Sequence, residues 1–222
     1  MRAHLAVVVI VSLATQLMPA QQLGAWDWRS TAKQTTLGGS PLMAFDEVRQ
    51  RVVEFTGYGL QRETWEWDGA LWRFRASGNS CPLGREYTAM TWDPASQRVL
   101  LYGGLSQATG GNPMLADTWL WNGLTWTSAT SASSPPARAR HSMAADPVRG
   151  RVVLYGGNNG TSTQYTDTWE WDGAQWHLMQ PLTRSPAIRF DAAMSWNPVT
   201  QRVAIFGTPS GMLVPVEEWD GL

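Results

Sequence analysis

The sequence predicts an all-β fold made of four tandem copies of one sheet unit, and three observations point to it. The chain is poor in helix-forming surface residues, since charged residues make up only 16% of it and Lys33 is its single lysine. It is rich in strand and turn formers, with 14 Trp and 21 Gly. Tryptophan favours half-buried pleated strands, and glycine separates them. The third observation is an internal repeat of about fifty residues.

Two landmarks recur in the same order and define the repeat. The segments MAFDEVRQRVVEFTGYG, MTWDPASQRVLLYGG, MAADPVRGRVVLYGG and MSWNPVTQRVAIFG begin at Met43, Met90, Met143 and Met194. Tryptophan-rich segments follow: TWEWDGALW, TWLWNGLTW and TWEWDGAQW begin at Thr64, Thr118 and Thr168, and EWDGL begins at Glu218. A repeat that is regular in both landmarks indicates one structural unit used four times.

Each unit is expected to form four antiparallel strands. The Met segment ends at an Asp or Asn and a turn, because Asx side chains bond their own backbone and the proline that often follows fixes φ. The Arg-Val-x-x-aromatic run after the turn is apolar on both faces, which is typical of a strand buried between neighbouring sheets. In Thr168–Trp171 polar residues and indoles alternate, and Asp172-Gly173 is a two-residue hairpin signal that leads to a last strand.

Four antiparallel strands in each of several tandem units is the arrangement of β-propeller blades. We therefore expect residues 24–222 to form a β-propeller with blade repeats at about 43–84, 90–137, 143–187 and 194–222. The fourth repeat stops one strand short, and residues 24–30, in which Trp26 has the spacing of an outermost strand, are expected to complete it. A blade shared in this way would close the ring and cover its sheet edges. Two alternatives stay open: the chain is a fragment of a larger propeller, or two chains share one ring.

The third repeat resembles a kelch repeat. The matching features lie in PPARARHSMAADPVRGRVVLYGG and DTWEWDGAQW: an Arg and a His-Ser before the first turn, a double glycine, and a spaced pair of tryptophans. The resemblance covers about residues 25–222 and implies a β-propeller like those of secreted bacterial kelch-like proteins. The first repeat departs from the pattern, with Gly57-Tyr58-Gly59 in place of the double glycine, and the fourth has Gly207 alone.

Residues 1–20 are expected to be a signal peptide. Arg2 supplies the positive charge, Leu5–Leu13 forms the apolar stretch, and small residues with a cleavage point after Ala20 follow. This stretch is too short to span a bilayer as a helix, and no other apolar run in the sequence approaches that length. We expect a secreted or periplasmic protein, which has no internal disulfide because Cys81 is its only cysteine.

The sequence disfavours several classes of function. A formal net charge of −1 gives no field that attracts a polyanion, so nucleic acid is not an expected partner. Kelch-like copper oxidases of sugars, as the family resemblance implies, need two His, two Tyr and a Cys cross-linked to Tyr. Beyond the predicted signal, however, this chain has only His141 and His177. We expect no metal, no cofactor and no catalytic residue, and we assign His141 to the structure of its repeat.

Arg85, Arg138 and Arg189 are the candidate binding residues, because each lies five residues before the Met of its repeat. Equivalent positions of successive blades fall in a ring around the axis, so these guanidinium groups would gather at one mouth of the channel and bind a carboxylate. The alternative is that each Arg is bound within the fold, by backbone or by an acidic side chain. The acidic residues before the tryptophan segments, Glu63, Asp117 and Asp167, are the expected partners.

These observations favour a non-catalytic binding scaffold, extracellular or periplasmic, for a protein or a glycan. Its recognition loops are expected at Ser106–Ala116 and Asn158–Tyr165, the longest irregular insertions, because rigid scaffolds bind through such loops. The alternative is an enzyme, a sugar-acid isomerase or mutarotase, that acts at the mouth lined by arginines. The chain is expected to be a monomer if its ring closes.

Overall fold

The computed structural model describes residues 42–58, 61–106, 108, 111–181, 191–207 and 216–221. Within these ranges the chain forms four antiparallel sheets and a single 3-10 turn, Gly78–Ser80. The prediction of an all-β fold with four propeller-like sheets is confirmed. The predicted signal peptide at 1–20 and the predicted closing strand at 24–30 lie outside the described residues.

In each sheet the strands are arranged in chain order, from the inner strand to the outer strand. The first sheet contains β1 (Leu42–Asp46), β2 (Arg51–Tyr58), β3 (Gln61–Trp67) and β4 (Trp72–Ser77). The second contains β5 (Arg85–Glu86), β6 (Ala89–Asp93), β7 (Arg98–Ser106), β8 (Met114–Trp121) and β9 (Trp126–Ser128). The third contains β10 (Ser142–Asp146), β11 (Arg151–Tyr155), β12 (Thr168–Trp171) and β13 (Trp176–Met179). The described part of the fourth contains β14 (Ala193–Asn197), β15 (Arg202–Phe206) and β16 (Glu217–Trp219).

The second sheet differs from the expected four strands because its inner strand is interrupted. Both β5 and β6 pair with β7, and the break between them falls at Tyr87. Tyr87 has a φ of 55°, in the left-handed region, where an extended strand cannot continue. The two pieces together take the place of one inner strand.

The turns have the chemistry that the sequence predicts. Asp172 Oδ1 accepts the backbone N–H groups of Ala174 at 2.9 Å and Gln175 at 2.8 Å, which closes the hairpin between β12 and β13. Asp146 Oδ1 accepts the N–H groups of Val148 at 3.1 Å and Arg149 at 3.0 Å in the turn between β10 and β11. The equivalent Asx residues therefore fix the same two turns in successive blades.

The four blades stack side by side in chain order. Among the inner strands, β1 packs against β6, β6 against β10, and β10 against β14. Between β14 and β1, the residues that the structure describes make no packing of comparable extent.

The core lies between blades, and β7 shows why its sequence is apolar on both faces. Val99 and Leu101 belong to the cluster shared with the first blade, whereas Leu100 and Tyr102 belong to the cluster shared with the third. All four side chains are fully buried. Alternate residues of a strand point to opposite faces of its sheet, so a blade with a neighbour on each side must be apolar throughout.

Candidate functional site

In the second and third blades, the loop after the double glycine and the segment that enters the inner strand lie on one face. On this face a cleft of about 670 Å³ opens between the second and third blades. It is lined by side chains from both predicted loops and both entry segments, including Tyr87, Asn112, Met114, Arg140, Asn158 and Gln164. The loops predicted to carry recognition therefore meet at one cleft.

The double glycines bring these segments together. Gly103 and Gly104 have φ values of 62° and 99°, and Gly156 and Gly157 have values of 74° and 89°. A Cβ on Gly103 would lie 2.8 Å from the carbonyl oxygen of Arg138, a clash that only glycine avoids. The backbone of β7 can therefore contact the entry segment of the next blade directly, and Gly104 N–H donates to the same carbonyl at 2.8 Å.

The first predicted loop is shorter than expected because strands reach into it, whereas the second is held by isolated bridges and side-chain bonds. The first loop, predicted at Ser106–Ala116, loses its end to β8, which begins at Met114. In the second loop Asn158 makes isolated bridges to Ala139 and Gln164. Asn158 Oδ1 accepts the N–H of Gly160 at 2.9 Å, and Asn159 Oδ1 accepts the N–H of Thr161 at 3.0 Å. These bonds hold the loop with its two carboxamides at the cleft.

Tyr87, Arg140 and Asp191 form a row along the segments that enter the inner strands of the second, third and fourth blades. Each lies three residues before the Met of its repeat and has a positive φ, of 55°, 59° and 50°. Their backbones are linked, since Arg140 N–H donates to the Tyr87 carbonyl at 2.8 Å and Asp191 N–H donates to the Arg140 carbonyl at 3.3 Å. Left-handed non-glycine residues cost free energy and are concentrated at functional sites.

The side chains of this row also interact. The Arg140 guanidinium lies 4.4 Å from the centre of the Tyr87 ring, and its Nη1 donates to Asp191 Oδ2 at 2.8 Å. The charge of Arg140 is therefore compensated by a partner, while the Tyr87 side chain remains 44% exposed. These residues were not predicted from the sequence, although their common spacing from the Met landmark is a signal for them.

The predicted binding residues Arg85 and Arg138 are buried and engaged within their own blades. Arg85 donates to both oxygens of Asp117, at 2.6 and 2.9 Å, and to the Gly103 carbonyl at 2.9 Å. Arg138 repeats this pattern with both oxygens of Asp167, at 2.7 and 2.8 Å, and with the Gly156 carbonyl at 3.0 Å. The ring of Tyr165, from the second loop, lies 4.1 Å from the Arg138 guanidinium carbon.

This geometry agrees with the alternative in which each Arg is bound within the fold. Arg189 lies outside the described residues. Ligand binding by the three arginines stays a prediction that the structure does not test.

The acidic partners are held ionised by these arginines. Burial opposes ionisation of Asp117 and Asp167, but the hydrogen bonds and the charge of the paired arginine outweigh it, so the pKa of each carboxyl lies below its ordinary value. The same carboxylates accept the indole N–H of the tryptophan two residues later, Trp119 and Trp169, each at 2.7 Å. Arg, Asp and Trp thus form a repeated clamp that ties the entry segment to the third strand of a blade.

His141 lies inside the fold. Its side chain is buried, and its ring packs edge-on against Tyr102 with the centroids 5.5 Å apart. Neither ring nitrogen has a hydrogen-bond partner among the described residues. Burial, with the nearby Arg138 charge, lowers the pKa of His141 to about 3, so the ring is neutral at ordinary pH.

We expect His141 to make the fold sensitive to moderate acid. Below about pH 6.5 the unfolded chain takes up a proton at this residue that the folded chain refuses, so stability should fall by up to about 1.4 kcal/mol per pH unit as pH decreases toward 3. Urea unfolding between pH 7 and pH 4.5 measures this loss of stability. In this pH range the clamp carboxylates stay ionised, so they do not contribute to the slope. His141→Leu should flatten the slope in that window, and an unchanged slope would contradict the assignment.

The likeness to known proteins concerns the fold. No protein-family model and no curated protein matches the chain. The chain is similar in fold to the solved structure of YjhT. The TM-score is 0.54 at 13% sequence identity, and the match covers 74% of this chain and 57% of that one. The chain therefore spans a little over half of the length of that structure, and a likeness at this identity supports the propeller arrangement alone.

Across the described ranges there is no group of three or more His, Cys, Asp or Glu residues that could hold a metal ion. Among the residues that the structure describes, no helix is long and apolar enough to cross a membrane. Cys81 is a buried free thiol, and burial raises its pKa above the ordinary value, which makes it unreactive.

Proposed function

We propose that the chain is a kelch-type propeller that works outside the cytoplasm as a non-catalytic binding scaffold, and that its ligand is a glycan. The observation that carries this proposal is the cleft between the second and third blades, which loops and entry segments of both blades build together. Concave sites with a few convergent polar groups are the usual form of ligand sites. The export part of the proposal predicts that the protein recovered outside the cytoplasm begins after Ala20, which mass spectrometry of the intact chain would check.

The lining favours an uncharged, hydroxyl-rich ligand. Among the described residues that line the cleft, the cationic one is Arg140, which is already paired with Asp191 and lies over the Tyr87 ring. The carboxamide oxygens of Asn158 and Asn159 accept bonds from their own loop, which leaves their N–H₂ groups to donate to a ligand. A partly exposed aromatic ring beside amide donors suits the apolar face and the hydroxyl oxygens of a sugar.

A glycan array followed by calorimetry on the best neutral oligosaccharide tests this function. Tyr87→Ala should weaken binding by about ten-fold, because the ring contact would be lost. Phe74→Ala is the matched control, since Phe74 is similarly exposed but lies on β4 of the first blade, away from the cleft. Absence of binding to every neutral glycan, or equal affinities of the two variants, would refute the proposed site.

The enzyme alternative has one observation in its favour. Asp191 is an exposed carboxylate, 2.8 Å from Arg140 of the cleft lining, and would act as an acid or base beside a bound sugar acid. Anomer interconversion of acidic sugars, followed by NMR, tests it. Catalysis that disappears in Asp191→Asn would establish the enzyme, and a rate equal to the uncatalysed one would exclude it for the sugars tested.

A further inference from the structure

Neighbouring blades are joined three times by the same contact, in which tryptophans of the later blade donate to acceptors of the earlier one. Trp121 Nε1 donates to Glu66 Oε1 at 2.9 Å, and Trp126 Nε1 donates to Thr64 Oγ1 at 2.8 Å. In the next joint, Trp171 and Trp176 donate to Asp93 at 2.8 Å and Thr118 at 3.0 Å. In the third joint, Trp219 donates to Glu170 at 2.6 Å. Each joint therefore has a hairpin side, which carries the tryptophans, and a receiving side on the preceding blade.

An aromatic residue and a turn complete the receiving side. Phe55 meets Trp126 edge-on at 5.8 Å, and the equivalent Tyr102 meets Trp176 at 5.2 Å. The hairpin glycine of the later blade lies against the inner turn of the earlier one. A Cβ on Gly173 would be 2.8 Å from Ala95 Cβ, and a Cβ on Gly123 would clash with the Arg49 guanidinium.

The first blade presents a hairpin side that is already formed. Trp67 and Trp72 stack at 5.7 Å, close to the 5.5 Å of the pairs in the second and third blades. Yet Trp67 is only half-buried, and no described residue accepts a hydrogen bond from its Nε1. The hairpin glycine of this blade, Gly69, has open space where the equivalent glycines have a neighbouring blade.

The fourth blade presents the matching receiving side. By register, Phe206 takes the place of Phe55 and Tyr102, and its side chain is 43% exposed where theirs are buried. Val199, in the place of Ala95, is 89% exposed. Glu218, in the place of Glu66, is exposed, and its Oε1 is held by Asn197 at 2.9 Å and Thr200 at 2.8 Å. The other carboxylate oxygen accepts no hydrogen bond from the described residues, so it is available to an indole N–H.

We propose that the receiving side of the fourth blade binds the hairpin side of the first blade of a second copy of this chain. Both halves of the joint are present in one chain, and the described residues do not bring them together within it. The chemistry of each surface therefore defines its partner. The receiving side requires an indole N–H and an aromatic edge, and the hairpin side requires a carboxylate and a phenyl ring. The contact is head-to-tail, so two copies either close on each other or extend into longer assemblies.

Sedimentation velocity of the whole protein over a wide concentration range tests this inference. The wild type should self-associate. Phe206→Glu should weaken self-association by at least about 100-fold, because a charge would enter the apolar centre of the joint. Val199→Glu provides a second variant at a position too exposed to affect folding. The control is Leu124→Glu, because Leu124 is a largely exposed apolar residue in the hairpin of the second blade, and this variant should associate like the wild type.

A mixing experiment separates this joint from any other contact between copies. Trp67→Glu blocks the hairpin side, and Phe206→Glu blocks the receiving side, so each variant alone should be monomeric. Mixed in equal amounts, the two should form a dimer, because one intact joint can be assembled from the two chains. A monomeric wild type at every concentration, or a mixture that does not dimerise, would overturn the proposal.

Discussion

Replacing Trp171 by alanine is expected to lower the free energy of unfolding by about 3–5 kcal/mol, the usual cost of removing a fully buried large aromatic side chain. Trp171 is 0% exposed and packs at 5.5 Å from Trp176 in the cluster between the second and third blades. The deletion would also leave Asp93, which is buried, without the indole N–H that it accepts at 2.8 Å. Chemical denaturation followed by tryptophan fluorescence and circular dichroism measures the change.

Two further variants divide the effect of Trp171→Ala into its parts. Trp171→Phe keeps most of the ring volume but removes the hydrogen bond to Asp93, and should cost about 1–3 kcal/mol. Leu124→Ala alters an exposed apolar side chain of the second blade and should change stability by less than about 0.5 kcal/mol. If Trp171→Ala were as mild as Leu124→Ala, the blades would not be held by these joints.

Asp167→Asn is expected to be comparably severe, at about 3–5 kcal/mol, because it leaves the charge of Arg138 buried without its partner. Arg138 is fully buried and is bound by both oxygens of Asp167. Asp191→Asn is the matched control, since it removes the same charge from an ion pair of similar length, 2.8 Å, that is largely exposed. Exposed pairs contribute less than about 1 kcal/mol, so this variant should unfold almost like the wild type.

Thermal and urea unfolding measure the difference in the free energy of unfolding between Asp167→Asn and Asp191→Asn. Equal losses would mean that the clamp does not depend on the burial of Arg138. Above about pH 4 the difference should be constant, because the pKa of Asp167 in the fold lies below its ordinary value. As the pH falls through the pKa of the folded state, protonation of the wild-type carboxyl should abolish it.

The strands and turns could be predicted from the sequence because local chemistry decides them. The two-residue period of Thr168–Trp171, the Asp172-Gly173 hairpin and the Asx turn at Asp146 all appear as predicted. The apolar run of β7 predicted a strand with a neighbouring sheet on each side, and its residues alternate between two interblade clusters. The tryptophans at both ends of the hairpins in the second and third blades recur in phase, and they belong to the joints between blades.

The candidate site was predicted only in part. The sequence located both loops that line the cleft and the acidic partners of Arg85 and Arg138. Tyr87, Arg140 and Asp191 share a spacing from the Met landmark, but they were not predicted as a set because the three residue types differ and form no motif. Their positive φ values arise from the way each inner strand is entered, and their contacts join three different blades.

The sequence by itself determined the four units, their strand order and the residues that face another blade. A regular period and turn chemistry act over a few residues, and the sequence records them directly. Only the tertiary structure decided which arginines form ion pairs within the fold and which side chains line the cleft. It also decided which hairpins pack against another blade. Trp171 and its equivalents pack against the preceding blade, whereas Trp67 is half-buried. These outcomes depend on which blades are neighbours. Because the repeats carry similar contact residues, the sequence does not specify which blade each of them contacts.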